Sequence, residues 1–273
     1  MMMTTIYSSY KSLGASVIGS SHIKKGLENQ DSVSFKENII AISDGHGSAG
    51  YTRSSLGSKF ATEIILEIYE DSLNENSLEE GVRHLKARFL HLWQKAVELD
   101  LLENEITEEE MKLISNKKQF FDNFNKNKKV IYGTTFLCAI IYKENLILLS
   151  CGDGDVLCIY EEEVIDLTLH NEKNFANATL SLASLKDSSE ISSLITDAPS
   201  LISLSTDGIK NSYNDTDELA ISNFYKIPIV IRKSILEEGE MKAKDQIIKF
   251  LEKITKEGSG DDVTIAVLYK GKE

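Results

Sequence analysis

Apolar positions along the chain fall into two kinds of run. Residues 13–18 and 32–42 are apolar or alternating and are broken by Gly26, Asn29 and Asn38, the pattern of strands separated by turns. The period then lengthens. Leu56, Phe60, Ile64 and Ile68 recur every four residues, and Leu78, Val82, Leu85, Phe89, Leu92, Ala96 and Leu99 alternate steps of four and three. Two amphipathic helices are predicted, the second packed on a sheet rather than forming a coiled-coil seam. Residues 100–129 turn to Glu, Asn and Lys, with Phe120, Phe121 and Phe124 as apolar anchors, which predicts a peripheral, partly helical insertion. Apolar runs at 132–142, 145–150, 156–160, 164–169 and 201–205 follow in quick succession with turn residues between them, the signature of an antiparallel sheet. The Ser/Asn/Ala-rich stretch from 169 to 199 has weak periodicity and predicts a surface segment. Asp215 and Glu218 have capping-box spacing. Ala243, Ile247, Leu251 and Ile254 mark a helix before a last strand at 263–269.

No fixed-period repeat and no Gly/Ser/Pro linker divides the chain, so a single domain over 1–273 is expected, with two sheets and flanking helices. With 41% hydrophobic and 27% charged residues and two prolines, the composition is that of an ordinary globular protein. Lys+Arg number 30 against 43 Asp+Glu, a formal balance of −13 that repels phosphate backbones and anionic bilayers. No nucleic acid and no membrane is expected as a partner. The longest apolar runs fall far short of the roughly 18 residues a membrane span needs. Residues 1–20 contain Lys11 as their one cation and no apolar signal-peptide core, so the expected location is cytoplasmic. Cys138, Cys151 and Cys158 form no C-x-x-C pair and lie in or beside apolar runs, which predicts buried free thiols.

The acidic residues change the picture. Asp44-Gly45 closes one apolar run, Asp153 and Asp155 follow a second, Asp207-Gly208 closes a third and Asp261-Asp262 opens a fourth. Any one of these is an ordinary turn. Four together, if the strand ends converge, are harder to dismiss: unit charges about 4 Å apart repel by about 4 kcal/mol per pair at an effective dielectric near 20. Such a cluster needs a cation or raised pKa values. Oxygen-only ligation suits Mg²⁺ or Mn²⁺, whereas zinc would want His and Cys. Asp153-Gly154-Asp155 begins like a calcium loop but fails at Leu157 and Cys158. No Walker A loop, G-x-S-x-G elbow, H-E-x-x-H pair or kinase signature is present.

In this order and spacing, Gly26-Leu27-Glu28-Asn29-Gln30-Asp31-Ser32, Ala41-Ile42-Ser43-Asp44-Gly45-His46-Gly47, Tyr132-Gly133-Thr134-Thr135, Ser150-Cys151-Gly152-Asp153, Ser205-Thr206-Asp207-Gly208 and Gly260-Asp261-Asp262-Val263-Thr264 make the chain resemble the metal-dependent protein phosphatases of the protein phosphatase 2C type. The resemblance implies an α+β fold, a four-layer αββα sandwich of two antiparallel sheets flanked by helices. It implies two Mn²⁺ or Mg²⁺ ions, with a third, weaker one. Asp44 would bridge the two metals, the Gly45 carbonyl would bind the second, and Asp207 and Asp261 would hold the first. Asp31 would hold metal-bound water, and Asp153 would join Asp207 at the third ion. Asp262 would have a supporting role. A metal-bridging hydroxide would attack phosphoserine or phosphothreonine, and His46 would protonate the leaving group. The segment near 170–199 falls where the family carries its flap, with Asn171, Asn174 and Asn177 as polar contacts.

The chain departs from the family pattern in two places. Gly26 stands where many relatives carry a phosphate-clamping Arg, for which Lys24, Lys25, His22 or Arg53 would have to substitute. Gln30 stands where many have Glu. The implied activity is that of a metal-dependent serine/threonine protein phosphatase acting on phosphorylated proteins, with a serine/threonine kinase or its target as partner. Two other readings stay open: a pseudophosphatase that captures a phosphorylated partner or regulates a kinase, and a phosphohydrolase acting on a small phosphate ester.

Overall fold

Side chains alternate across a strand, and Ile39, Ile40, Ala41 and Ile42, all at most 1% exposed, show what that alternation serves here. Ile39 and Ala41 enter one core, shared with helices; Ile40 and Ile42 enter another, shared with a second sheet. A strand covered on both faces reads as an unbroken apolar run, which is why the strands at 136–142, 145–151 and 201–205 were visible in the sequence.

The computed structural model describes residues 10–169, 180–213 and 216–271. The elements run β1 (Tyr10–Val17), α1 (Ser20–Lys25), β2 (Ser32–Lys36), β3 (Ile39–Ser43), α2 (Ser54–Leu73), α3 (Leu78–Glu103), α4 (Glu108–Ser115), α5 (Lys118–Lys126), a 3-10 turn (Lys128–Tyr132), β4 (Phe136–Tyr142), β5 (Asn145–Cys151), β6 (Asp155–Tyr160) and β7 (Glu163–Asp166). After two more 3-10 turns come β8 (Ser192–Asp197), β9 (Leu201–Ser205), α6 (Asp207–Lys210), α7 (Glu218–Tyr225), α8 (Ile227–Glu238), α9 (Glu240–Glu257) and β10 (Val263–Lys270). Two five-stranded sheets form, ordered β1-β10-β9-β6-β7 and β2-β3-β4-β5-β8, with every pairing antiparallel.

Three cores separate four layers. α2 and α3 cover the second sheet through residues such as Ile65, Leu85, Phe89 and Trp93. The sheets meet through Ile40, Leu148, Ile202 and Leu268. α6 to α9 cover the first sheet through Ile209, Phe224, Ile231 and Leu251. This is the α+β αββα sandwich, as expected. All three cysteines are buried and free. Among the described residues no helix is long and apolar enough to cross a membrane.

Several local readings need correction. The stretch 100–129 is not merely peripheral: it holds the end of α3, α4 and α5, and its Ile114 and Phe124 enter the outer core. Within 169–199 lies β8, an edge strand paired with β5; its sequence Ser-Ser-Leu-Ile-Thr-Asp carries little apolar signal because its faces are only partly covered. Residues 170–179, with Asn171, Asn174 and Asn177, lie outside the described residues, as does Asp215. The cap of α7 is Asp217, whose carboxylate accepts from the Leu219 N–H.

Register brings the acidic strand ends together. Ser32 faces Ser43 across β2 and β3, so Asp31 and Asp44, the residues just outside each strand, are neighbours. Ser205 faces both Ile265 and Asp155, which gathers the starts of β10 and β6 around the end of β9 and Asp207.

Candidate metal centre and active site

Asp44 sits at the end of β3 with its backbone locked: its N–H donates to Thr135 Oγ1 (3.0 Å), and its carbonyl accepts from the Thr135 N–H and the Thr134 hydroxyl (both 2.8 Å). The side chain is left to the cluster. Burial pushes its pKa well up, and the charges of Asp31, Asp207 and Asp261 push further. Asp207 is raised for the same reason, burial first and then Asp153, while Asn211 Nδ2 donates to its Oδ2 at 2.9 Å.

Asp31 is 9% exposed. The hydroxyls of Thr264 (2.7 Å) and Thr206 (3.0 Å) donate to its Oδ2. Its Oδ1 is buried with no partner, and burial drives its pKa well above the carboxylate range. Asp261 is half exposed, and Asp153, also exposed, lies within electrostatic reach of Asp207 and His46. Among the described residues no three carboxylate or imidazole groups close into a ready ligand set.

Asp262 was expected in a supporting role; the partners through which it and its neighbours act were not legible in the sequence. Asp262, 3% exposed, accepts the Gly19 N–H on Oδ1 (2.6 Å) and the Gln30 N–H on Oδ2 (2.7 Å). Asp155 pairs with Lys210 Nζ at 2.8 Å, tying the start of β6 to α6. Thr206 and Thr264 stand within the family motifs, but nothing in their spacing says that both hydroxyls meet on one carboxylate oxygen.

The imidazole of His46 packs edge-on against Tyr51, centroids 4.8 Å apart, and its backbone N–H donates to the Gly133 carbonyl at 3.0 Å. Burial pushes its pKa down to about 4, with Asp153 pulling the other way.

Of the four basic residues expected at the substrate phosphate, Arg53 is engaged elsewhere. Arg53 is 7% exposed and every guanidinium nitrogen is engaged: Nε donates to Glu110 (2.7 Å), Nη1 to Asp100 (3.0 Å) and Tyr132 (2.9 Å), and Nη2 to Glu110 (3.2 Å) and the Glu105 carbonyl (3.1 Å). It is a structural tie between α2, α3 and α4. His22 is buried, with Nδ1 3.0 Å from Asp262 Oδ2 and Nε2 3.8 Å from Asp261 Oδ1, so it lies at the edge of the acidic cluster. Lys24 and Lys25 are exposed on α1. Gly26 ends that helix with φ +67°, and its N–H caps the His22 and Ile23 carbonyls. An added Cβ there would touch nothing. The position where relatives carry Arg is here a left-handed helix cap that favours glycine.

The Arg53 tie predicts a pH dependence of stability. Hydrogen bonding from Arg53 holds the Glu110 pKa down to about 2, below its ordinary value of 4.5. The tie therefore contributes fully above the unfolded-state pKa and is lost as pH falls through the folded one. Glu110→Gln is expected to melt below the wild type at pH 7, with the gap closing towards pH 2; a gap independent of pH would refute the tie.

The sandwich is similar in fold to bacterial serine/threonine phosphatases of known structure. The catalytic domain of the serine/threonine protein phosphatase PstP in complex with two manganese ions superposes with TM-score 0.60 at 15% identity, over 96% of this chain and 98% of that one. PppA, described as a key regulatory component of T6SS in Pseudomonas aeruginosa, gives 0.59 at 14%, covering 97% and 99%. Stp1 from Staphylococcus aureus gives 0.57 at 14%, covering 100% and 98%. Searched against curated proteins, the sequence finds no match. The family model described as protein phosphatase 2C matches residues 18–252. The chain belongs to the protein phosphatase 2C family and is, at that level, a phosphoprotein phosphatase.

Proposed function

We propose that the chain, acting as one catalytic domain over 1–273, hydrolyses phosphoserine and phosphothreonine in cytoplasmic proteins with two Mn²⁺ or Mg²⁺ ions and a third, weaker one. A serine/threonine kinase or its target is the partner this implies. The observation that carries the reading is the state of the acidic cluster. Asp31, Asp44 and Asp207 all resist ionisation through burial and mutual repulsion, and Asp31 Oδ1 is a buried acceptor with nothing to accept from. Hard divalent cations with water suit such oxygens.

Asp44, the Gly45 carbonyl, Asp207 and Asp261 would hold the two ions, with Asp153 at the third. Bound there, the cations supply a nucleophile from water at neutral pH and neutralise charge on the phosphoryl group. The rest is done by the chain. Thr206 and Thr264 occupy Asp31 Oδ2, so its Oδ1 stays free to accept from and aim an attacking water. His46 protonates the departing seryl or threonyl oxygen; an arriving phosphate and Asp153 both favour the imidazolium. Lys24, Lys25 and His22 are the remaining basic candidates for the phosphate, none with the planar fork of Arg.

The test is hydrolysis of a phosphothreonine peptide and of p-nitrophenyl phosphate by purified protein in EDTA, Mg²⁺ or Mn²⁺. Turnover is expected with Mn²⁺ or Mg²⁺ and none in EDTA. Folded, metal-loaded protein that turns over neither substrate would overturn the reading in favour of the pseudophosphatase. Faster turnover of nucleotides than of phosphopeptides would favour the small-ester hydrolase.

A further inference from the structure

Among the described residues, no hydrogen bond to another group aims the ring of His46, the usual device for a proton-transferring histidine. What surrounds it instead is a file of aromatic rings. The imidazole meets Tyr51 at 4.8 Å and 69°, and Tyr51 meets Phe120 at 4.8 Å and 81°. Both contacts are edge-to-face, the geometry in which the positive rim of one ring meets the negative face of the next. Two glycines make room for the file. A Cβ at Gly133 would lie 2.6 Å from the Tyr51 ring and 2.7 Å from His46 Cδ2, and one at Gly50 would lie 2.7 Å from Phe120.

We propose that Tyr51 and Phe120 are positioning residues for His46, so that α5, in the segment that looked peripheral, sets the orientation of the general acid. This rests on the reading of His46 as that acid. The far end of the file is firmly held. α5 buries Phe124, and neighbouring α4 buries Ile114, both in the outer core. Arg53, two residues after Tyr51, is paired to Glu110 on α4 and Asp100 on α3. The imidazole is thus wedged between the Gly133 backbone and a ring that cannot retreat. Removing Phe120 leaves Tyr51 free to swing and the imidazole free to rotate, with no hydrogen bond to restore it.

The consequence falls on one step. A threonyl oxygen leaves as a poor, strongly basic anion and needs the proton, whereas p-nitrophenolate leaves as a stabilised anion and needs it far less. Phe120→Ala is therefore expected to lower kcat on a phosphothreonine peptide by about tenfold, part of the range general acids supply, while p-nitrophenyl phosphate turnover changes by less than about threefold. His46→Gln should show the same selectivity more strongly, and adding Phe120→Ala to it should cost little more. Phe120→Tyr keeps the ring and should restore peptide turnover. In metal-free protein, the His46 Cε1–H proton resonance should move in Phe120→Ala and return in Phe120→Tyr.

A Phe120→Ala variant that slows both substrates equally, or slows neither, overturns the inference and leaves the acid assignment standing. A His46→Gln variant without leaving-group selectivity overturns the assignment itself, and the positioning role with it. Thermal melts of each variant separate these results from loss of fold.

Discussion

Asp44→Asn is expected to abolish metal-dependent hydrolysis while leaving the metal-free protein as stable as the wild type, or more so. Activity and stability part because the side chain and backbone of Asp44 do different work. The backbone is held by Thr134 and Thr135, bonds an asparagine keeps. The carboxyl is buried against Asp31, Asp207 and Asp261, which oppose its ionisation. A neutral amide of the same shape removes that repulsion, so the melting temperature in EDTA should hold or rise. With Mn²⁺ the order should reverse. A ligand that binds only the native state at 100 times its Kd stabilises by about 2.7 kcal/mol, a gain expected for the wild type and largely lost in the variant. Loss of turnover by about 10³-fold or more is expected, on the scale of removing a principal electrostatic contributor to catalysis. An Asp44→Asn protein that keeps both its turnover and its Mn²⁺-induced rise in melting temperature would sink the assignment of the site.

How much of this could be read from the sequence depends on what each residue's neighbours reveal. The sandwich was legible because strands covered on both faces, such as Ile39-Ile40-Ala41-Ile42, leave unbroken apolar runs, and because α2 and α3 keep a helical period. Elements with one open face left weaker traces: β8 is mostly polar, α1 has only six residues, and α8 starts afresh at a Pro in its first turn that a periodicity reading passes over. The carboxylates were legible as strand-end motifs, and register converts that order into proximity. The basic residues were not. Arg53 looked available because its partners Asp100 and Glu110 lie 47 and 57 residues away in sequence. Nor does the letter at Gly26 reveal a left-handed φ that makes it a helix cap. The aromatic file to His46 was hidden for the same reason as Arg53, since Phe120 belongs to a stretch whose composition is that of a solvated surface.

Asp262→Ala is expected to damage fold and site together, with a loss of about 3–6 kcal/mol of stability if its two hydrogen bonds each contribute on the scale of bonds to a charged group, about 1.5–3 kcal/mol. Both oxygens of this buried carboxylate accept backbone N–H groups, from Gly19 at 2.6 Å and from Gln30 at 2.7 Å. The first is the residue before α1 and the second immediately precedes Asp31, so Asp262 pins two chain segments to the start of β10. Truncation would strand both N–H groups away from water and release the backbone that carries Asp31. Asp262→Asn tests the arrangement more sharply. An amide presents one acceptor and one donor, so its NH₂ must be aimed at one of the two N–H groups, and the isosteric change should cost about 1–3 kcal/mol, the penalty for an unsatisfied buried polar group. Thermal or urea unfolding in EDTA measures both variants free of metal effects. The expected order is wild type above Asn above Ala, with catalysis in Mn²⁺ falling in the same order because Gln30 and Asp31 move together. An Asn variant as stable as the wild type would mean that one of the two bonds is dispensable, and an Ala variant with full activity would mean that Asp31 is held without it.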